Sequence, residues 1–323
     1  MSNVAKIITD TILERMEQAE KDGTVFHWVK PFSEGSPDRP YSYDTQRPYS
    51  GINRLLLNNG EYLTYNKVQR LNEIKDGTQY QIRKGAKSNI VCYYNTVPVL
   101  DDCGEPEIDE FTGEEKRRGF LKYYRVFSRE DIVERGNKDK VLPSKFNYKH
   151  YTHEEATERM REKLDRFNRL FNYYCKSKGI EIEIIQDGTQ SYFSHDMKIR
   201  VPDISNFKSL YQWTHTLSHE MIHSTGMFLG RFDDKNQNSR EREELIAEIG
   251  AEMLVAQLQI EDDSDTPDNT LAYIQSWSEY LKDKPGEIIA AATKSEAACN
   301  MILDCLREME LEEQKKEQEE NER

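Results

Sequence analysis

Ser218-His219-Glu220-Met221-Ile222-His223-Ser224-Thr225-Gly226 is the stretch on which the reading of this 323-residue chain turns. It holds one H-E-x-x-H. On a helix, positions i and i+4 stand one turn apart on the same face. His219 and His223 can therefore aim two imidazoles at one ion, with Glu220 in reach of a water on that ion. Tyr211, Trp213, Leu217, Met221 and Ile222 supply apolar contact, and neither Pro nor Gly interrupts Ser209 to Thr225. A helix is predicted there, with Gly226 as its stop signal.

Two histidines do not complete a catalytic zinc site, which takes three protein ligands and a water. Downstream, Leu245, Ile246, Ile249, Met253 and Leu254 carry the period of a buried helix, and Glu244 and Glu248 stand four apart on one side of it. A helix burying that side needs a reason to keep carboxylates there. Ligation supplies one: Glu244 is expected as third ligand, with Glu248 holding a ligand histidine through its far ring nitrogen. Glu241 and Glu243 read as surface glutamates. His215, one turn before His219, reads as a core or surface residue. Arg231 and the Asp233-Asp234 pair fall on the connecting loop and are expected to line the cleft. His27, His150, His153 and His195 receive no role.

Around this centre, Thr152 to Lys178 predicts a helix, with Thr152-His153-Glu154-Glu155 as its capped start and Met160, Leu164, Phe167, Leu170, Phe171 and Tyr174 as its apolar stripe. Ile180–Ile185, Ser191-Tyr192-Phe193 and Lys198–Pro202 read as short strands. A strand just before an H-E-x-x-H helix is the edge on which zinc proteases hold an extended peptide.

The bulk composition frames the rest. Hydrophobic residues make up 36% and charged residues 32%, as in a soluble protein with a large wet surface, and the length allows two domains with ordinary cores. No apolar run is long enough to span a bilayer, and the start lacks the pattern of a secretory signal. The five cysteines include no C-x-x-C pair, which fits free thiols in a reducing cytoplasm. The net charge of −14 is unevenly spread. Residues 1–128 carry 18 Lys+Arg against 19 Asp+Glu, and eight of those acids lie in one excursion, Asp101 to Glu115. A modestly basic first domain thus precedes an acidic second one.

In the first domain, residues 1–22 have helical period and end at Gly23; Gln79–Arg83, Asn89–Val99 and Phe120–Phe127 read as strands, the acidic excursion being a hairpin tip. Aromatic faces among Arg and Lys are the ingredients of a single-strand binder. The candidates are Trp28, Tyr41, Arg47, Tyr49, Asn53, Arg54, Lys67, Arg83, Lys84 and Lys87. Trp28…Lys30-Pro31, Tyr49-Ser50-Gly51-Ile52-Asn53, Tyr62-Leu63-Thr64 and Ile82-Arg83-Lys84-Gly85 together resemble the N-terminal domain of the ArdC antirestriction family. The resemblance implies that residues 1–128 bind single-stranded DNA.

A second resemblance covers the remainder. His219 to Gly226, then Arg231, then Glu243-Glu244-Leu245-Ile246-Ala247-Glu248, is similar to the zincin-type metallopeptidase domain of ArdC-like proteins, and the likeness continues to about residue 304. It implies Zn2+ and a Glu from the E-E-L-x-A-E helix as third ligand. The expected organisation is α+β: a small mixed α/β DNA-binding domain, a linker at 129–150, a mainly helical metallopeptidase domain with a short sheet at 151–306, and a charged tail at 307–323, fraying or disordered. The expected function is a cytoplasmic single-stranded-DNA-binding antirestriction protein of a mobile element, whose zinc site cleaves an unidentified protein substrate. Two alternatives stand beside it: the zinc site is only structural, or the first domain binds a protein partner.

Overall fold

A computed structural model describes residues 3–33, 36–73, 77–101, 103–108, 114–146, 153–186, 191–194, 196–233, 239–262 and 270–321. The chain opens with α1 (Asn3–Asp22), then β1 (Pro40–Ser42), α2 (Ile52–Leu56), β2 (Gly60–Leu63), α3 (Tyr65–Leu71), β3 (Tyr80–Ile82) and the long hairpin β4 (Asn89–Pro98) and β5 (Arg117–Ser128). Next come β6 (Ile132–Glu134), β7 (Asn137–Val141), α4 (His153–Lys178), β8 (Glu181–Ile185), β9 (Tyr192–Ser194) and β10 (Lys198–Pro202). Four helices close the chain: α5 (Leu210–Phe228), α6 (Ser239–Gln257), α7 (Thr270–Asp283) and α8 (Glu287–Asn321). This is the expected α+β mixture. No helix among the described residues is long and apolar enough to cross a membrane.

The strands form three small sheets, ordered β1-β2-β5-β4, β3-β6-β7 and β8-β10-β9. Sequence reading separates here from structure. Residues 129–150 read as a linker, yet Ile132–Glu134 pairs antiparallel with both β3 and β7, and Ile132, Val133 and Leu142 are buried. The polar β7 had hidden this sheet, because an exposed strand shows no apolar alternation. β3 and β4 follow one another in sequence but join different sheets. The charged tail is helical through Asn321, and α4 holds it through Arg166–Glu310 and Arg169–Glu313 at 2.7 Å each, with Tyr173 donating to Glu312 at 2.8 Å. The capping residue Thr152 lies outside the described residues, as do His150 and His195 and the side chain of His153.

One large core crosses the expected domain boundary. Ile8, Ile12 and Met16 of α1, Trp28, Val29 and Leu55 join Phe167 of α4, Met221 of α5, Met253 of α6 and Cys299 of α8 in a single apolar cluster. Among the described residues, two minor clusters stand apart, one around Val68 and Ile132, the other around Val91 and Val126. The front and back halves therefore bury apolar surface against each other, and the stability of each draws on the other.

Two glycines set the site. Gly226 does not end α5, which runs on to Phe228; the left-handed residue that follows is Gly230, φ 66°. Gly226 is buried, and a Cβ there would lie 2.6 Å from the Phe232 ring. Gly250 brings α6 against α5, since a Cβ would stand 2.9 Å from Ile222. Such close approach needs a residue with no side chain. It puts the His face of α5 opposite the Glu face of α6.

Candidate metal centre and first-domain surface

The Nε2 atoms of His219 and His223 lie 3.0 Å apart, and Glu244 Oε2 is 3.4 Å from the first and 3.6 Å from the second. A tetrahedral ion with bonds of ~2.0–2.1 Å has ligand-to-ligand edges of about 3.3 Å. The triangle matches that shape, so the donors fit a divalent ion. Both far ring nitrogens are engaged by carboxylates: His219 Nδ1 with Glu248 Oε2 at 3.1 Å, and His223 Nδ1 with Glu243 Oε1 at 3.3 Å. These contacts turn each Nε2 toward the ion and keep it basic.

The structure thus brings His219, His223, Glu244 and Glu248 together as the spacing predicted. It corrects Glu243, which is no surface glutamate. Its carboxylate is 14% exposed and accepts from Arg231 Nε and Nη2 at 2.9 and 2.7 Å. Arg231 also donates to Thr225 Oγ1 and to the Ile222 carbonyl, so it ties loop, α5 and α6 into one support. Sequence gave one usable signal, the i, i+1 pair Glu243-Glu244, whose members face different partners. Arg231 lies behind the ligands instead of lining the cleft. Asp234, and the side chain of Asp233, fall outside the described residues.

Glu220 is 5% exposed. One oxygen accepts from the backbone N–H of Phe193 on β9, and Oε2 has no partner. Burial raises its pKa, partly offset by the two histidines. The cleft beside it has a volume of about 440 Å³ and is walled by Tyr192, Phe193, Phe232 and Arg240. β9 is an edge strand of its sheet. Glu220 thus lines the same cleft as the three converging donors and keeps one buried carboxylate oxygen without a hydrogen-bond partner.

Without metal, burial pulls the pKa of His219 down, but the hydrogen bonds it donates to Glu244 and Glu248 outweigh it and raise it to about 10. His223 is raised in the same way, by Glu243 and Glu244. A ligand imidazole must be unprotonated at Nε2, so metal uptake expels protons. Because the raised pKa values belong to the metal-free form, apparent affinity is expected to increase with pH through neutrality. Calorimetry in buffers of different ionisation enthalpy should detect proton release. A pH-independent affinity with no proton release would contradict this.

Comparisons with known proteins now bear on both halves. Residues 2–127 match the N-terminal domain of anti-restriction factor ArdC, and residues 171–294 match a zincin-like metallopeptidase. The metal-free crystal structure of antirestriction ArdC from plasmid R388 superposes with a TM-score of 0.63 at 28% identity, covering 95% of this chain and 99% of that one. This chain belongs to the ArdC-like family. The Mn(II)-bound form of the R388 protein matches it with a TM-score of 0.60 at 25% identity, over 94% of this chain and 98% of that one. Together with the donor triangle, this makes the centre of the ArdC-like chain a divalent-metal site. Two Escherichia coli proteins called DNA primase TraC are 27% and 26% identical over 91% and 94% of the chain, which spans only 20% and 28% of their lengths.

The first-domain candidates of this ArdC-like chain divide. Trp28 is 3% exposed, wedged edge-on between Phe26 and Trp277 in the common core. Arg54 is fully buried, with Nη2 donating to the Met253 carbonyl of α6 at 3.3 Å. Asn53 spends its amide on the backbone of Cys92, donating at 2.8 Å and accepting at 2.7 Å. None of these three can serve as a DNA contact; they join α2 to β4 and the front half to α6. Tyr41 is half-buried and donates to Asp38. Arg47, Lys84 and Lys87 are exposed, while Arg83 and Lys67 are half-exposed, Lys67 being paired with Asp44.

The β4–β5 hairpin stands where the strands Asn89–Val99 and Phe120–Phe127 were expected; what sequence reading missed is its exposed tyrosines. Register puts Val91, Tyr93, Lys122 and Tyr124 on one face and Tyr94, Tyr123 and Arg125 on the other. The rings of Tyr93 and Tyr124 lie 5.9 Å apart, and Tyr124 hydrogen-bonds Tyr49, which in turn meets Tyr62 edge-on at 6.4 Å. Tyr93, Tyr94, Tyr123 and Tyr124 are all exposed, Tyr94 by 70%. Arg125 donates to Ser88 Oγ beside Lys87. The signal was available: Tyr93-Tyr94 and Tyr123-Tyr124 recur in strands where alternation should hide one of each pair.

Proposed function

We propose that this ArdC-like chain is a single-stranded-DNA-binding antirestriction protein of a mobile element, and that its metal centre is a zinc peptidase. The observation that carries the peptidase reading is the buried, partnerless Oε2 of Glu220, beside three donors spaced as tetrahedral ligands. A purely structural zinc site is closed by four protein ligands and has no use for such an oxygen.

His219, His223 and Glu244 would hold the ion. When bound, zinc supplies Lewis acidity toward a scissile carbonyl and a water of lowered pKa. Glu220 would accept a proton from the attacking water and pass it to the leaving amine. Its burial suits the task, since a carboxylate with raised pKa is the stronger base. β9 is positioned for an extended polypeptide to run alongside it, and the cleft between Tyr192 and Phe232 receives a side chain. Zinc-dependent cleavage of an unfolded protein, absent after chelation and restored by zinc, tests the reading.

For the front half, the support is the tyrosine-lined hairpin flanked by Lys87, Lys122 and Arg125. Exposed rings stack on bases of any sequence, and the cations follow phosphates. Each stacked base contributes about 1–3 kcal/mol. Changing Tyr93 and Tyr124 together to Ala removes two such rings and is expected to weaken binding to a labelled single strand by at least about 30-fold, while Trp28→Phe leaves it unchanged. Fluorescence anisotropy at fixed salt reads both. Equal binding by wild type and the double variant would remove the hairpin from the interface.

A further inference from the structure

Along α6, Glu244, Glu248 and Glu252 recur every four residues. Glu244 faces the metal triangle. Glu248 turns Oε2 to His219 and Oε1 to His215 Nε2, 3.9 Å away. Glu252, 6% exposed, accepts the Val29 N–H on Oε2 at 2.7 Å and presents Oε1 to His27 Nδ1 at 3.7 Å. The other nitrogen of His27 is 3.4 Å from Asp262. One nitrogen of His215 and one oxygen each of Glu248 and Glu252 all lie within 4.8 Å of one another.

Two features distinguish this cluster from an ordinary hydrogen-bond network. The first is spacing. The 3.9 Å between His215 and Glu248 is too long for a hydrogen bond of ~2.7–3.2 Å. It lies within the range of donors sharing an ion, about 3 Å for neighbours and about 4 Å across it at bonds of ~2.0–2.1 Å. The second is charge. Glu248 and Glu252 are mostly buried beside two imidazoles, and Arg15 gives its guanidinium to the carbonyls of Leu55 and His27, reaching Glu252 only through space. Carboxylates withdrawn from water need a compensating cation.

We propose that His215, Glu248 and Glu252 form a second divalent-metal site. One imidazole and two carboxylates suit a transition ion such as zinc or manganese. Glu248 is shared: one oxygen orients His219 of the first centre, and the other binds the second ion. The site takes its backbone support from Val29, so the ion fastens the front half of the chain to the helix that carries the first centre. This role is structural and does not depend on whether peptide hydrolysis occurs.

The full-length protein, stripped by chelation and equilibrated with zinc or, separately, manganese, should bind two ions per chain by mass spectrometry of metal content. Glu252→Gln, which keeps an oxygen for the Val29 N–H, should bind one, and so should His215→Gln. His223→Ala should also bind one, having lost the other site, and combining it with Glu252→Gln should leave none. In wild type, the second equivalent should raise the thermal midpoint, and Glu252→Gln should lose that increment. A single ion in wild type, or two ions in both Glu252→Gln and His215→Gln, would overturn the proposal. Retention of two ions by His223→Ala would instead count against the first centre alone, so the two assignments fail separately. Circular dichroism distinguishes lost ligation from lost folding; should Glu252→Gln unfold, His215→Gln carries the test.

Discussion

Glu220→Gln is expected to bind metal as wild type does and to lose about 10²–10⁴-fold in zinc-dependent peptide hydrolysis. The range is the usual contribution of a positioned general base. Glutamine preserves the acceptor for the Phe193 N–H and the volume of a site that is 5% exposed, so the fold has little reason to respond. It puts an amide nitrogen where the partnerless Oε2 stands, and an amide cannot take a proton from water. Glu220 is not one of the three converging donors, so metal content should be unchanged. Equal hydrolysis by the two proteins in a metal-replete assay would reject the role. Absence of hydrolysis in wild type with metal bound would favour the structural-site alternative.

The second large effect is expected at Arg231. Its side chain is 4% exposed and neutralises the mostly buried Glu243 through two hydrogen bonds. Arg231→Met should destabilise the metal-free protein by about 3–5 kcal/mol, because breaking a buried pair strands the remaining charge. Changing Glu243 to Met as well should recover much of that, since an apolar pair of similar volume is often neutral. Metal affinity should behave differently. His223 loses its Nδ1 partner in the double variant, and such partners contribute about 10–100-fold to affinity. Stability rescued without affinity, by denaturant titration and metal competition, is therefore the expected signature. Restoration of both would mean that Glu243 does not orient the ligand.

The same pair shows where sequence reading stops. Glu243 and Glu244 are adjacent, so a helix sends them in directions about 100° apart, and which direction meets a cation depends on Arg231, which approaches from a loop. The H-E-x-x-H and the Glu244–Glu248 step were legible because helix periodicity is local: four residues return a side chain to the same face wherever the helix lies. The strands around the site were legible for a similar reason, through alternation. In the front half, aromatic and basic residues were visible, but their exposure was not.

The sequence by itself determined which side chains share a face: His219 with His223, Glu244 with Glu248 and Glu252, and the helical and strand segments that bear them. Only the tertiary structure decided what each face meets. Arg54 ends against Met253 and Val29 against Glu252, partners 199 and 223 residues away. Trp28 and Arg54 look like nucleic-acid contacts in one dimension and are interior in three, while the hairpin tyrosines are left in water. Periodicity comes from backbone geometry within a few residues; burial and charge compensation come from packing between segments far apart in the chain.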